Sequence, residues 1–133
     1  MPSTGEHPLK LRFTYGGWEN PQTVEWCDGI LISRDLFDSS HSSATKVSPS
    51  NEDWRQFWRV VDNVKVWEWL PGYDNELVLD GVQWSLKLER HGQKIASNGS
   101  NAFPGFAGPE FPDTCDFAKF LDAIQILARR KLE

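Results

Sequence analysis

Hydrophobic and polar residues alternate near the start of the chain, where Leu9, Leu11, Phe13 and Tyr15 are separated by Lys10, Arg12 and Thr14. A period of two marks a half-buried strand. Gly16-Gly17 and Asn20-Pro21 punctuate a turn. A second strand is expected across Thr23 to Arg34, with Val24, Trp26, Ile30 and Ile32 facing inward. Asp28-Gly29 interrupts it and reads as a bulge in preference to a tight turn between shorter strands. Residues 38–50, with Ser39, Ser40, Ser42, Ser43 and Ser48, read as a Ser-rich flexible loop inside one domain.

The period then lengthens. Trp54, Phe57, Trp58, Val61 and Val64 make one apolar stripe opposite Arg55, Gln56, Arg59 and Asp62, which predicts a helix. Ser50 caps it, with Asp53 as the reciprocal acid three residues on. From Val64 to Trp69 alternation returns, predicting an extended segment that sets Trp67 and Trp69 on one side before Pro71-Gly72.

Asp80-Gly81 introduces the clearest strand, where Val82, Trp84, Leu86 and Leu88 face one way and Gln83, Ser85, Lys87 and Glu89 the other. Arg90 to Gln93 forms a hairpin turn, and Lys94 to Ser97 is the returning strand. A loop of small residues follows from Asn98 to Ala102. Phe103 to Pro112 reads as irregular but packed. Asp113 or Thr114 caps a last helix striped by Phe117, Phe120, Leu121, Ile124 and Leu127. The order β-β-α-β-β-α predicts a single α+β domain over residues 1–133, with residues 1–8 a flexible tail. Its core element is an antiparallel sheet of about four or five strands with both helices on one face.

Composition agrees with one domain: 133 residues, 39% hydrophobic, suffice for a single core. Fourteen basic against nineteen acidic residues give a net charge of −5. The cluster Arg129-Arg130-Lys131 falls at a helix end, where cations complement the dipole, so no nucleic-acid partner is expected. No apolar run approaches the ~20 residues that span a bilayer, so no membrane partner is expected either. Met1 to Pro8 lacks a basic-then-apolar leader, which makes the cytoplasm the expected compartment. Cys27 and Cys115, without CxxC spacing, read as reduced core residues. His7, His41 and His91 sit singly, so neither a metal nor another cofactor is expected.

Several runs together carry a resemblance: Trp54-x-x-Phe57-Trp58, Val66-Trp67-x-Trp69 and Leu79-Asp80-Gly81-x-x-Trp84-x-Leu86. They continue with Gly92, Ile95, Ser97-x-Gly99-Ser100-Asn101-Ala102-x-Pro104 and Phe117-x-x-Phe120-Leu121. Over about residues 50–130 the chain resembles a family of small uncharacterised bacterial proteins. Gly105 to Pro112 is longer here than in that pattern. The resemblance implies the same fold and transfers no catalytic role.

Seven tryptophans exceed what the helix stripes use. Trp67, Trp69 and Trp84, with Tyr73 and Phe103, are the candidates for an aromatic groove. Asp80 and the polar turn of Asn98, Ser100 and Asn101 would border it, since indoles favour binding hot spots. The expected function is a non-catalytic binding module whose partner is another protein or a second copy of the chain. The alternatives are a small-molecule or carbohydrate binder, in which indole faces stack on rings, and a small enzyme using Asp80 or Cys115. Cys115 lies near a helix start, which favours a thiolate, but no histidine is placed by spacing to act as its base. Asp80 near tryptophans could serve as an acid, although Asp-Gly before a strand also makes a turn.

Overall fold

The alternating segment at the start of the chain is a central strand of the sheet, with both of its edges paired. In the computed structural model, which describes residues 7–17, 21–35, 44–74, 82–100, 102–104, 106–107, 115–129 and 132, β1 (Lys10–Gly17) lies between β2 (Gln22–Cys27) and β6 (Val82–Arg90). Outside β2 come β3 (Ile30–Asp35) and β4 (Thr45–Val47); outside β6 come β7 (Gln93–Ser100) and β5 (Gly72–Asp74). The order β4-β3-β2-β1-β6-β7-β5 makes one seven-stranded sheet. A second small sheet pairs β8 (Ala102–Phe103) with β9 (Phe106–Ala107).

The fold is mixed α+β, with more strands than the four or five expected and one parallel pairing, β5 on β7. Three sequence features account for the difference. Asp28 and Gly29 both adopt positive φ (50° and 85°), and Cys27 pairs directly with Ile30, so the pair is a two-residue hairpin turn rather than a bulge. That turn shifts the parity of the second strand: Leu31, opposite Trp26, enters the core, while Ile30 is exposed and Ile32 lies on the outer face. Within the region read as a Ser-rich loop, Thr45–Val47 pairs with β3 as an edge strand; residues 38–43 of that loop lie outside the described residues. Asn98 to Ser100, read as loop, continues β7 because it finds partners on both sides, β6 and β5.

Two helices cover one face of the sheet. α1 (Asn51–Asn63) opens with the expected capping box, in which Asp53 N–H donates to Ser50 Oγ (3.1 Å) and Ser50 N–H to Asp53 Oδ2 (2.9 Å). α2 (Asp116–Ala128) is capped by Cys115, whose Sγ accepts from Ala118 N–H at 3.5 Å. Asp113 and Thr114, expected in that role, lie outside the described residues. Phe120 of α2 meets Phe13 edge-on at 5.3 Å between ring centres, and Trp54 of α1 meets Trp26 edge-on at 5.2 Å. The helices join through Phe57 and Phe120. Fully buried aromatic and branched side chains, including Phe13, Trp54, Phe117 and Leu86, fill the space between.

The segment expected to be extended is not. Lys65 takes a left-handed conformation (φ 57°, ψ 46°) directly after α1, and Val66–Glu68 forms one turn of 3₁₀ helix. With three residues per turn, side chains two apart diverge. Val66 and Trp69 are therefore buried, and Trp67 is half-buried on another side.

Candidate binding site

The described rings of the expected aromatic groove turn inward, with two only half covered. Trp84 is 2% exposed and packs on Phe117 at 4.9 Å between ring centres. Trp69, 9% exposed, donates its indole N–H to the Val64 carbonyl at 3.3 Å. Phe103 is 2% exposed and also packs on Phe117, at 4.8 Å. Tyr73 is half-buried, with its hydroxyl accepting from Leu70 N–H at 2.9 Å. Trp67 belongs to a separate cluster, stacked on Trp58 (6.4 Å) beside Arg90. These five aromatic side chains therefore do not line a common groove; they are the core and its margin. A small domain uses indoles inward because each buries a large area at low entropic cost. Asp80 and Asn101 lie outside the described residues.

Asn98 and Ser100 stand elsewhere, on the face of the sheet opposite the helices. Strand register aligns Thr14 with Ser85, Ser85 with Asn98, and Asn98 with Gly72. One step along the same face, Gly16, Gln83 and Ser100 form a second row. Glycine and short polar side chains around Gln83 leave a depression of about 500 Å³, lined by Thr14, Gly16, Gln83, Ser85, Asn98 and Ser100 together with Trp84 and Gly99, with Gly17 and Pro21 at one end. At its β2 side Thr14 Oγ1 and Thr23 Oγ1 share a hydrogen bond of 3.3 Å. The lining supplies hydroxyls and carboxamides, each able to donate and accept. A concavity of this volume falls in the range of small-ligand sites.

The sequence marks Asn98 and Ser100 as polar contacts and sets Gln83 and Ser85 on the face of their strand opposite Trp84 and Leu86. It did not unite them with Thr14, because cross-strand register is a tertiary property. The available signal was the run of uncharged polar residues at alternate positions, Gln83 with Ser85 and Asn98 with Ser100.

Farther along the same face the character changes. Lys10, Lys87, Glu89, Lys94 and Ala96 border a second, smaller hollow of about 230 Å³. Elsewhere, Cys27 is exposed rather than core, while Cys115 is buried; both are free thiols. His7 lies stacked on Trp26 at 5.3 Å. No group of three or more metal-ligating side chains occurs among the described residues, and no described helix is long and apolar enough to cross a membrane. Comparison with protein-family models, curated proteins and solved structures finds no match to this chain.

Proposed function

We propose that the protein is a non-catalytic binding module whose site is the face of the sheet opposite α1 and α2, and that its ligand is a hydroxyl-rich small molecule or carbohydrate. The observation that carries this reading is the depression over β1, β6 and β7, where Thr14, Gln83, Ser85, Asn98 and Ser100 converge. Their side chains bring hydrogen-bonding groups rather than acids or bases, which supports recognition over acid–base chemistry. The rigid sheet beneath favours a preformed site, since each residue is held by pairing on both sides. A protein partner was expected from an aromatic surface; with Trp69, Trp84 and Phe103 buried, that motive no longer applies to this face.

Ser85 is exposed on a central strand, so Ser85→Phe fills the depression without entering the core. Wild type should be retained by defined oligosaccharides on an array, and Ser85→Phe should lose that retention while keeping its melting temperature. If wild type is retained by none of them, or Ser85→Phe by the same ones, the reading fails.

A further inference from the structure

In its described side chains, the face of the sheet opposite α1 and α2 carries a charge that the whole chain does not. Among outward positions of β1–β4, β6 and β7 with described side chains, the cations are Lys10, Arg12, Arg34, Lys46, Lys87 and Lys94, and the acids are Glu25 and Glu89. Six cations against two acids give this face a positive excess on a chain of net charge −5. Four of these cations, Lys10, Arg12, Lys87 and Lys94, crowd the end of β1, β6 and β7 next to the depression, and all four are exposed. Arg12 stands between Lys87 on β6 and Glu25 on β2, and Glu89 lies between Lys10 and Lys94, so four cations outnumber two acids at this end of the face. None of the four forms a salt bridge among the described residues.

From this we infer that the ligand is an acidic oligosaccharide, its carboxylate or sulfate groups lying over Lys10, Arg12, Lys87 and Lys94 and its uncharged hydroxyls in the Thr14–Ser85–Asn98 depression. The inference rests on the proposed binding function and adds the chemical class. Six residue steps separate the Gly16–Gln83–Ser100 row from the Lys10–Glu89–Lys94 row, a track of roughly 20 Å at the rise of a strand. That length suits a short oligomer rather than a single ring. Charge complementarity favours a polyanion, and the makeup of the face decides which kind. Its described outward side chains include no aromatic ring, so bases of a single-stranded nucleic acid find no stacking platform. Lysines are depleted, and aromatic anchors enriched, at the centres of protein interfaces. An acidic glycan needs neither anchor nor platform, only cations beside hydroxyl and amide partners.

The test compares tetragalacturonate with its neutral methyl ester by titration calorimetry, and scans an array of uronate-bearing, sulfated and neutral oligosaccharides. Acidic members should bind, and neutral counterparts should bind at least tenfold more weakly. Lys87→Gln/Lys94→Gln should erase most of that difference and flatten the salt dependence of binding, while Ser85→Phe abolishes both kinds of binding. Preference for uronate or for sulfate identifies the anion. Equal binding of charged and neutral chains, or a lysine variant that keeps the preference, overturns the inference and leaves the binding function standing. Binding of no oligosaccharide of either kind overturns both.

Discussion

Arg90, at the end of β6, reaches Asp62 in the last turn of α1, its Nη2 donating to Oδ1 at 2.6 Å. A carboxylate at a helix C-terminus opposes the dipole, and α1 has no basic residue of its own in that turn. The missing cation comes from the sheet. The same guanidinium lies 4.7 Å from the centre of the Trp58 ring and 5.1 Å from that of Trp67, and the Trp67 indole N–H donates to the same Asp62 oxygen at 3.1 Å. Arg90 Nε also donates to Gln93 at 2.9 Å, which fixes the head group on the hairpin. One side chain thus ties the β6–β7 hairpin to α1 and to the 3₁₀ turn.

Because the pair is partly exposed, its ionic share is at most about 1 kcal/mol. The two ring contacts add roughly 0.5–1 kcal/mol. Arg90→Ala should therefore lower stability by about 1–2 kcal/mol in urea unfolding. Arg90→Lys should recover less than half, since an ammonium cannot stack and fork at once. Full recovery by lysine would show that charge alone matters.

The two tryptophans flanking Glu68 should behave differently. Trp69 meets Trp84, Phe117 and Phe120 at 5.5–6.3 Å between ring centres. Trp69→Ala should cost about 3–5 kcal/mol, a large part of a small domain's whole stability. Trp67→Ala removes a half-buried ring at the margin and should cost no more than about 2 kcal/mol. Thermal unfolding by circular dichroism separates the two. Equal losses would contradict the inward and marginal placements.

These placements also show what could be seen in the sequence. The stripes of α1 and α2 and the alternation of β1 and β6 specified the buried face almost residue by residue, because each side chain there has one periodic environment. The 3₁₀ turn escaped notice because Val66-Trp67-Glu68-Trp69 alternates as a strand does, and only the left-handed Lys65 breaks the pattern. Leu31 and Ile30 exchanged faces because a two-residue turn and a bulge differ by one step of parity. Asn98 and Ser100 were legible as polar contacts. Their union with Thr14 and Ser85 was not, for it depends on which strands become neighbours.

At the start of α1, Ser50 and Asp53 cap each other, and Arg129 of the C-terminal helix end stands 4.0 Å from the carboxylate. The Ser50 N–H holds the Asp53 carboxyl below its ordinary 3.8, with the Ser50 hydroxyl and Arg129 acting in the same direction and desolvation opposing them. A lowered carboxyl stabilises the fold above 3.8, and that share is lost as the pH falls through the lower folded-state value. Ser50→Ala should cost about 1 kcal/mol near neutrality. The deficit of Asp53→Asn against wild type should shrink as the pH drops below 3.8, as read from unfolding midpoints. A deficit independent of pH would mean that the carboxylate charge is idle there.

The free thiols offer a simpler check on burial. Cys27 is exposed, whereas Cys115 is covered and caps α2. A disulfide reagent should titrate one thiol at once in the native protein and the second only with denaturant. Cys27→Ser should abolish the fast phase and Cys115→Ser the slow one; two fast thiols would place Cys115 at the surface.

Tyr15 closes the line of core rings on β1, packed against Phe13 and Phe117 at 6.2 and 6.0 Å. Burial disfavours its phenolate and raises its pKa above the ordinary 10.0. The unfolded chain releases this proton near 10.0 and the folded chain does not, so between the two values the unfolded state binds fewer protons and stability falls as the pH rises. Below 10.0 the contribution is constant. Phenolate absorbance should show a phenol in the native protein that ionises only at higher pH or on unfolding, and Tyr15→Phe should remove that step. The variant should also soften the alkaline decline of the urea midpoint while leaving the midpoint near neutrality almost unchanged, since the ring itself remains. Half-ionisation of the Tyr15 phenol at pH 10.0 in the folded protein, as in the unfolded chain, would place its hydroxyl in water and open the core at the end of β1 nearest the depression.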